Sequence, residues 1–170
     1  MDALETRSQT HAVRELLLGL LGGAGAHTRL DEAAADFPVE AMNRRAPNLP
    51  YTPWHLLEHL RRTQRDILDY IRDSEYKEPH WPQDYWPARS AVAMPAEFAD
   101  TLAAFHADQS ALRDLIRDPA VDPFAVLPGT PDYTLAREIR LVADHNAYHI
   151  GEFAILRAVM GTWPADRRAG

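Results

Sequence analysis

Residues 134–161 read TLAREIRLVADHNAYHIGEFAILRAVMG, and this stretch decides the fold. Leu135, Ile139, Val142, Ile150, Phe153, Leu156 and Met160 recur with a period of about 3.6, which predicts a long amphipathic helix. The helix opens near Asp132 or Thr134, and Gly161 followed by Pro164 supplies a left-handed cap and a stop.

Three more segments share that period. The first places Val13, Leu16, Leu17, Leu20, Leu21 and Ala24 on one face before the break Gly22-Gly23-Ala24-Gly25, and a short helical turn follows near Leu30 to Phe37. The second starts at Thr52-Pro53, a capping residue followed by proline at the first helical position. It buries Leu56, Leu57, Leu60, Ile67, Leu68 and Ile71 and ends near Asp73. The third follows Pro95, aligns Phe98, Leu102, Phe105, Leu112 and Ile116, and stops before Pro119. No alternating apolar run competes as a strand. Four amphipathic helices in a chain of 170 residues predict an all-α four-helix bundle, a single domain over residues 1–170.

The connections are long, roughly 15 residues before the second helix and roughly 20 between the second and third, against the usual two to eight. The latter holds Pro79, Trp81, Pro82, Tyr85, Trp86 and Pro87. Three large aromatics must pack on something, either as a cover for the core or as the wall of a pocket. The two are compatible.

Composition narrows the function. At 46% hydrophobic and 25% charged, the chain is globular. A net charge of −7 without a basic stripe argues against nucleic acid as a partner. Cysteine is absent, so the protein itself offers no disulfide, thiolate ligand or cysteine nucleophile. The apolar stretch Leu16 to Ala26 is preceded by acidic residues, weakened by glycine and alanine, and too short to cross a membrane. A cytoplasmic address is the expectation.

Among eight histidines, two pairs stand four residues apart, His55 with His59 and His145 with His149. Chance supplies about 0.4 such pairs at this composition, so spacing alone decides little. The helical wheel separates them. His149 lies roughly 40° from the centre of the apolar arc and His145 roughly 40° further round, beside Leu156. Both face the interior or its margin, where unpaired imidazoles are costly and one metal ion would satisfy both. His59 sits at the edge of its own apolar arc, whereas His55 falls roughly 40° into the polar face and is expected to meet water. His59, His145 and His149 are therefore the candidate ligands of one open divalent metal site. Glu152 and Glu138 lie on a neighbouring stripe and could orient a ligand ring, although a solvated carboxylate on the helix flank is the plainer expectation for each.

The segments LPYTPWHLLEHL at 49–60 and DHNAYHIGE at 144–152, with Tyr85-Trp86-Pro87 and the glycine-rich Gly22 to His27, resemble the DinB-like superfamily, which includes the YfiT-like proteins and thiol-dependent transferases and isomerases. The resemblance implies an up-down-down-up bundle with a long crossover between helices two and three. It implies one nickel or zinc ion on His59, His145 and His149, and relatives that are often dimers. It gives His55 no ligand role and His27 no settled one; His27 is kept as a residue that could approach the site mouth from the first loop.

The resemblance also implies a metal-dependent enzyme that activates a low-molecular-weight thiol (bacillithiol, mycothiol or glutathione) for S-transfer to a small electrophile in detoxification or stress response. Trp81, Tyr85 and Trp86 would wall the substrate. Two alternatives stay open: hydrolysis through a metal-bound hydroxide with Glu152 or Glu138 as base, and a non-enzymatic stress protein stapled by a structural metal.

Overall fold

A computed structural model describes residues 3–23 and 25–167. It contains α1 (Ala3–Leu21), α2 (Leu30–Ala34), α3 (Pro53–Arg72), α4 (Pro95–Arg117) and α5 (Leu135–Met160), with 3-10 turns at Val39–Ala41 and Ala165–Arg167. Among the described residues there is no strand, only an isolated bridge between Val126 and Thr134 in the α4–α5 connection. No helix among them is long and apolar enough to cross a membrane.

The helix ends follow their capping chemistry. Thr52 and Thr134 have extended backbones, and each hydroxyl accepts the N–H three residues on, from His55 and Arg137, at 3.2 Å. Pro53 and Pro95 occupy first-turn positions where no intrahelical donor is needed. Gly161 adopts φ 65°, the left-handed conformation that ends α5.

α1 and α3 each pack against both α4 and α5 and so face each other across the bundle. Between α3 and α4 the pairings ascend together: Trp54 Nε1 donates to Thr101, Gln64 Nε2 to the Phe105 carbonyl, and Arg65 to Asp108. Between α3 and α5 they run in opposite order, from Tyr51 with Glu152, through His59 with His145, to the Leu68 and Leu135 end of the core. Gln109 to the Leu21 carbonyl and Arg14 to the Ile116 carbonyl pair α1 with α4 in opposite order too.

The interior divides in two. One cluster gathers Leu56, Leu57, Leu60, Phe98, Phe105, Ile150, Phe153 and Leu156 around the α2 segment. The other gathers Leu17, Leu21, Ile67, Leu68, Leu112, Ile116, Leu135, Ile139 and Val142. Between them lies a polar layer in which Asn146 Nδ2 donates to Gln64 Oε1 and Gln64 Nε2 to the Phe105 carbonyl, at 2.9 and 2.7 Å. It ties α3, α4 and α5 beside the histidines.

Two expectations fail here. Leu16 and Leu20 are exposed, 61% and 42%, while Leu17 and Leu21 are buried and Val13 partly so. α1 packs against α4 and α5, and the stripe repeating every four residues is the one that meets them. Ala24 falls outside the described residues. His55, expected in water, is 2% exposed, with Nε2 2.9 Å from the Ala91 carbonyl. The chain between α3 and α4 crosses that flank, and all of residues 52–60 are buried. A polar wheel position had become an interior one.

Candidate metal centre

α3 contributes one histidine to the site and α5 contributes two. His59 is 2% exposed, while His145 and His149 are half-buried. One ring nitrogen of each comes within 4.8 Å of the others. His59 Nε2 and His145 Nε2 are 3.2 Å apart, close to the edge of about 3.3 Å expected for a tetrahedron with metal–nitrogen bonds near 2.0 Å.

The surrounding groups set which nitrogens face inward. A carbonyl oxygen can only accept, so His59 Nδ1 donates to the Tyr85 carbonyl at 3.0 Å and Nε2 keeps its lone pair. His149 Nδ1 donates to Glu152 Oε2 at 2.6 Å, again leaving Nε2 for the site. A carboxylate or carbonyl behind each ligating imidazole is the arrangement that orients metal-binding histidines. Three imidazole nitrogen donors, two of them held this way, fit a divalent ion of the imidazole-preferring kind.

Electrostatics agree with the geometry. Burial, reinforced by the neighbouring rings, pushes His59 down to about 4 and His145 to about 3, so both are neutral at pH 7 and no proton competes for their lone pairs. Burial raises the Glu152 carboxyl, but hydrogen bonds from His149 and Tyr51 outweigh it and hold the group below its ordinary value. Glu152 is thus an ionised acceptor engaged at both oxygens, Oε1 by the Tyr51 hydroxyl and Oε2 by His149. The expectation of a solvated flank carboxylate is overturned: Tyr51, at the entrance to α3, closes over it.

A pH consequence follows. His59 and His145 bind protons more weakly folded than unfolded, so the metal-free protein keeps their contribution above about 6.5 and loses it as pH falls toward 4. Thermal melts of the metal-free protein at pH 7.5, 5.5 and 4.5 should fall in that order, and a melting temperature flat over this range would contradict their burial.

The α3–α4 connection supplies the rest of the site. The Trp86 ring stacks on His59 at 3.9 Å and 9°, and Trp81, 67% exposed, meets His59 edge-on at 6.4 Å. Tyr85 acts through its backbone, because its buried hydroxyl donates to Asp66 at 2.9 Å while its carbonyl holds His59. Arg62, itself on Glu58, donates to the carbonyls of Asp84 and Trp86 on either side of Tyr85, at 3.1 and 3.3 Å. The aromatic connection therefore both covers the core and walls the site.

Other candidates lie elsewhere. Glu138 is buried on Arg137, about 10 Å along α5 from His145. His27 is exposed and borders a separate small cavity with His106, Arg113 and Asn146. Sequence reasoning missed Tyr51 and Arg62; the former was visible only as part of the Pro50-Tyr51-Thr52-Pro53 entrance to α3.

The family model of the DinB superfamily matches residues 24–153, a span that includes all three histidines. The chain belongs to the DinB superfamily. A search of curated proteins and of solved structures found no match. For this DinB protein the family and the histidine cluster together point to metal binding.

The orienting carboxylate can be tested directly. Glu152→Gln removes the charge behind His149 with little change in shape and should weaken zinc or nickel binding about 10- to 100-fold in competition with a chelating dye. Unchanged affinity would mean that Glu152 does not orient the ligand ring.

Proposed function

We propose that this DinB protein is a metal-dependent enzyme that joins a low-molecular-weight thiol to a small electrophile, a detoxification chemistry. The observation that carries the reading is the open three-imidazole set with two of its rings held by fixed acceptors. His59, His145 and His149 would hold nickel or zinc, both suited to imidazole donors. When bound, such an ion lowers the pKa of a coordinated thiol so that it is nucleophilic at neutral pH. A cysteine-free chain has no sulfur of its own to offer.

The protein's own groups then have defined tasks. The Tyr85 carbonyl and Glu152 fix two ligand rings, Tyr51 holds Glu152, and Trp81 and Trp86 shield the His59 side from water. Hydrolysis with Glu152 as general base is less well supported, because both of its oxygens are already engaged. Glu138, on Arg137, is no better placed.

We further propose a single bundle domain with an up-down-down-up path. The ascending α3–α4 pairings and the opposed α3–α5 and α1–α4 pairings support that path. It also accounts for the long crossover, which has to return along the length of α3. A cytoplasmic setting suits a chemistry that needs reduced thiols. Exposed Tyr148, Ile155 and Val159 on one face of α5 favour a homodimer.

Protein purified without a histidine tag should carry about one equivalent of nickel or zinc and, so loaded, should consume bacillithiol, mycothiol or glutathione with an electrophile such as a chlorodinitrobenzene or an unsaturated acid. Metal-loaded protein inert toward every such pairing would defeat the transferase reading and leave a structural metal.

A further inference from the structure

Beside the histidines runs a groove of about 570 Å³ lined by Pro50, Tyr51, Pro82, Trp86, Pro87 and Arg89, within the usual range for small-molecule sites. We propose that it binds a planar, apolar carboxylic acid and that this is the class of electrophile the enzyme takes. The inference rests on the transferase reading for the reaction, though not for the binding itself.

Shape, charge and position each support this. Three prolines lock their own backbone φ, so much of the wall is preformed, and Trp86 and Tyr51 give it aromatic surface. Among the described residues no acidic side chain lines it. Arg89 forms no ion pair among the described residues, and the Arg45 guanidinium donates to the Arg89 carbonyl, so one arginine lines this apolar groove and a second stands against its backbone in a chain whose net charge is −7. Several other arginines meet carboxylates, as Arg61 and Arg62 meet Glu58 and Arg65 meets Asp69. An apolar body against Trp86 with a carboxylate on Arg89 would complement both features. A thiol such as glutathione, polar along its length, would not.

The groove also shares walls with the metal centre. Trp86 stacks on His59, and Tyr51 donates to the Glu152 that holds His149. A ligand seated there would touch Trp86, which stacks on His59, and Tyr51, which reaches His149 through Glu152.

The test is calorimetric titration of metal-free protein with 2-naphthoate, the neutral 2-naphthamide and glutathione, repeated with Arg89→Gln and Ala88→Phe. Both substitutions sit at exposed loop positions, and thermal melts verify their folding. Naphthoate should bind about fivefold more tightly than the amide, the size expected of one partly exposed ion pair. Arg89→Gln should erase that preference, and Ala88→Phe should weaken both aromatic ligands. Absence of naphthoate binding, binding that neither variant moves, equal affinity for the amide, or displacement of naphthoate by glutathione would each overturn the proposal. Because no metal or thiol is present, failure of the transferase chemistry would leave this result standing. Conversely, an active transferase that binds naphthoate elsewhere would refute the groove alone.

Discussion

His149→Ala is expected to strip the protein of its metal. Of the three candidate ligands, His149 is held on its outer nitrogen by an ionised carboxylate, and its loss leaves two imidazoles where an open site needs three. Loss of an orienting group alone costs about 10- to 100-fold in metal affinity, so loss of the ligand itself should exceed about 100-fold. The fold should survive, because the residue is half-buried in the middle of α5 and alanine is the best helix former. Elemental analysis should fall from about one equivalent to background while the far-ultraviolet circular dichroism is unchanged. Added zinc or nickel should raise the melting temperature of the parent by mass action and leave the variant unmoved. A variant that keeps a full equivalent would remove His149 from the site and with it the proposed function.

Arg157→Met is expected to cause the largest loss of stability. The Arg157 side chain is completely buried. Its guanidinium donates to the carbonyls of Ala33 and Ala35 at 2.7 Å and of Thr162 at 2.8 Å, and lies 4.0 Å over the Trp163 ring. It closes the end of α2 and the chain beyond α5 onto the bundle. Methionine keeps much of the apolar stem but leaves those carbonyls without a donor, at about 1–3 kcal/mol for each group left unsatisfied. The cation–π contact is lost as well, and relief from burying a charge offsets part of the total. A net destabilisation of about 3–5 kcal/mol should lower the melting temperature by roughly 10 °C in a domain of this size. A variant within about 1 kcal/mol of the parent in urea titration would show that water replaces the guanidinium freely.

The depth of His55 could not be read from the helical wheel, and for Arg157 the wheel gave the direction but not the partners. Arg157 stands on the α5 wheel at the angle of Ile139, about 40° from the centre of the apolar arc, but periodicity says nothing of what would satisfy a guanidinium there. Its burial comes from two chain segments far apart in sequence, 33–36 and 162–163, that close over it. His55 was misplaced because a distant segment covers it too. Periodicity reports which face of a helix is apolar, and it is silent about a loop that later covers the polar one.

The sequence by itself determined the helices, because capping residues, prolines and a 3.6 period act within a few residues of each other: Thr52-Pro53, Thr134 and Gly161 mark ends that the structure places at those residues. It also singled out His59, His145 and His149, since one turn of helix fixes the angle between paired rings and the apolar arc fixes the direction they face. Only the tertiary structure decided what stands behind those rings. The Tyr85 carbonyl, Glu152 with Tyr51, the Trp86 stack and the Arg62 anchor join residues from 22 to 101 positions apart, apart from the local His149–Glu152 pair. Hydrogen-bond direction and ring stacking depend on where a crossover lies across the bundle, which no local pattern encodes.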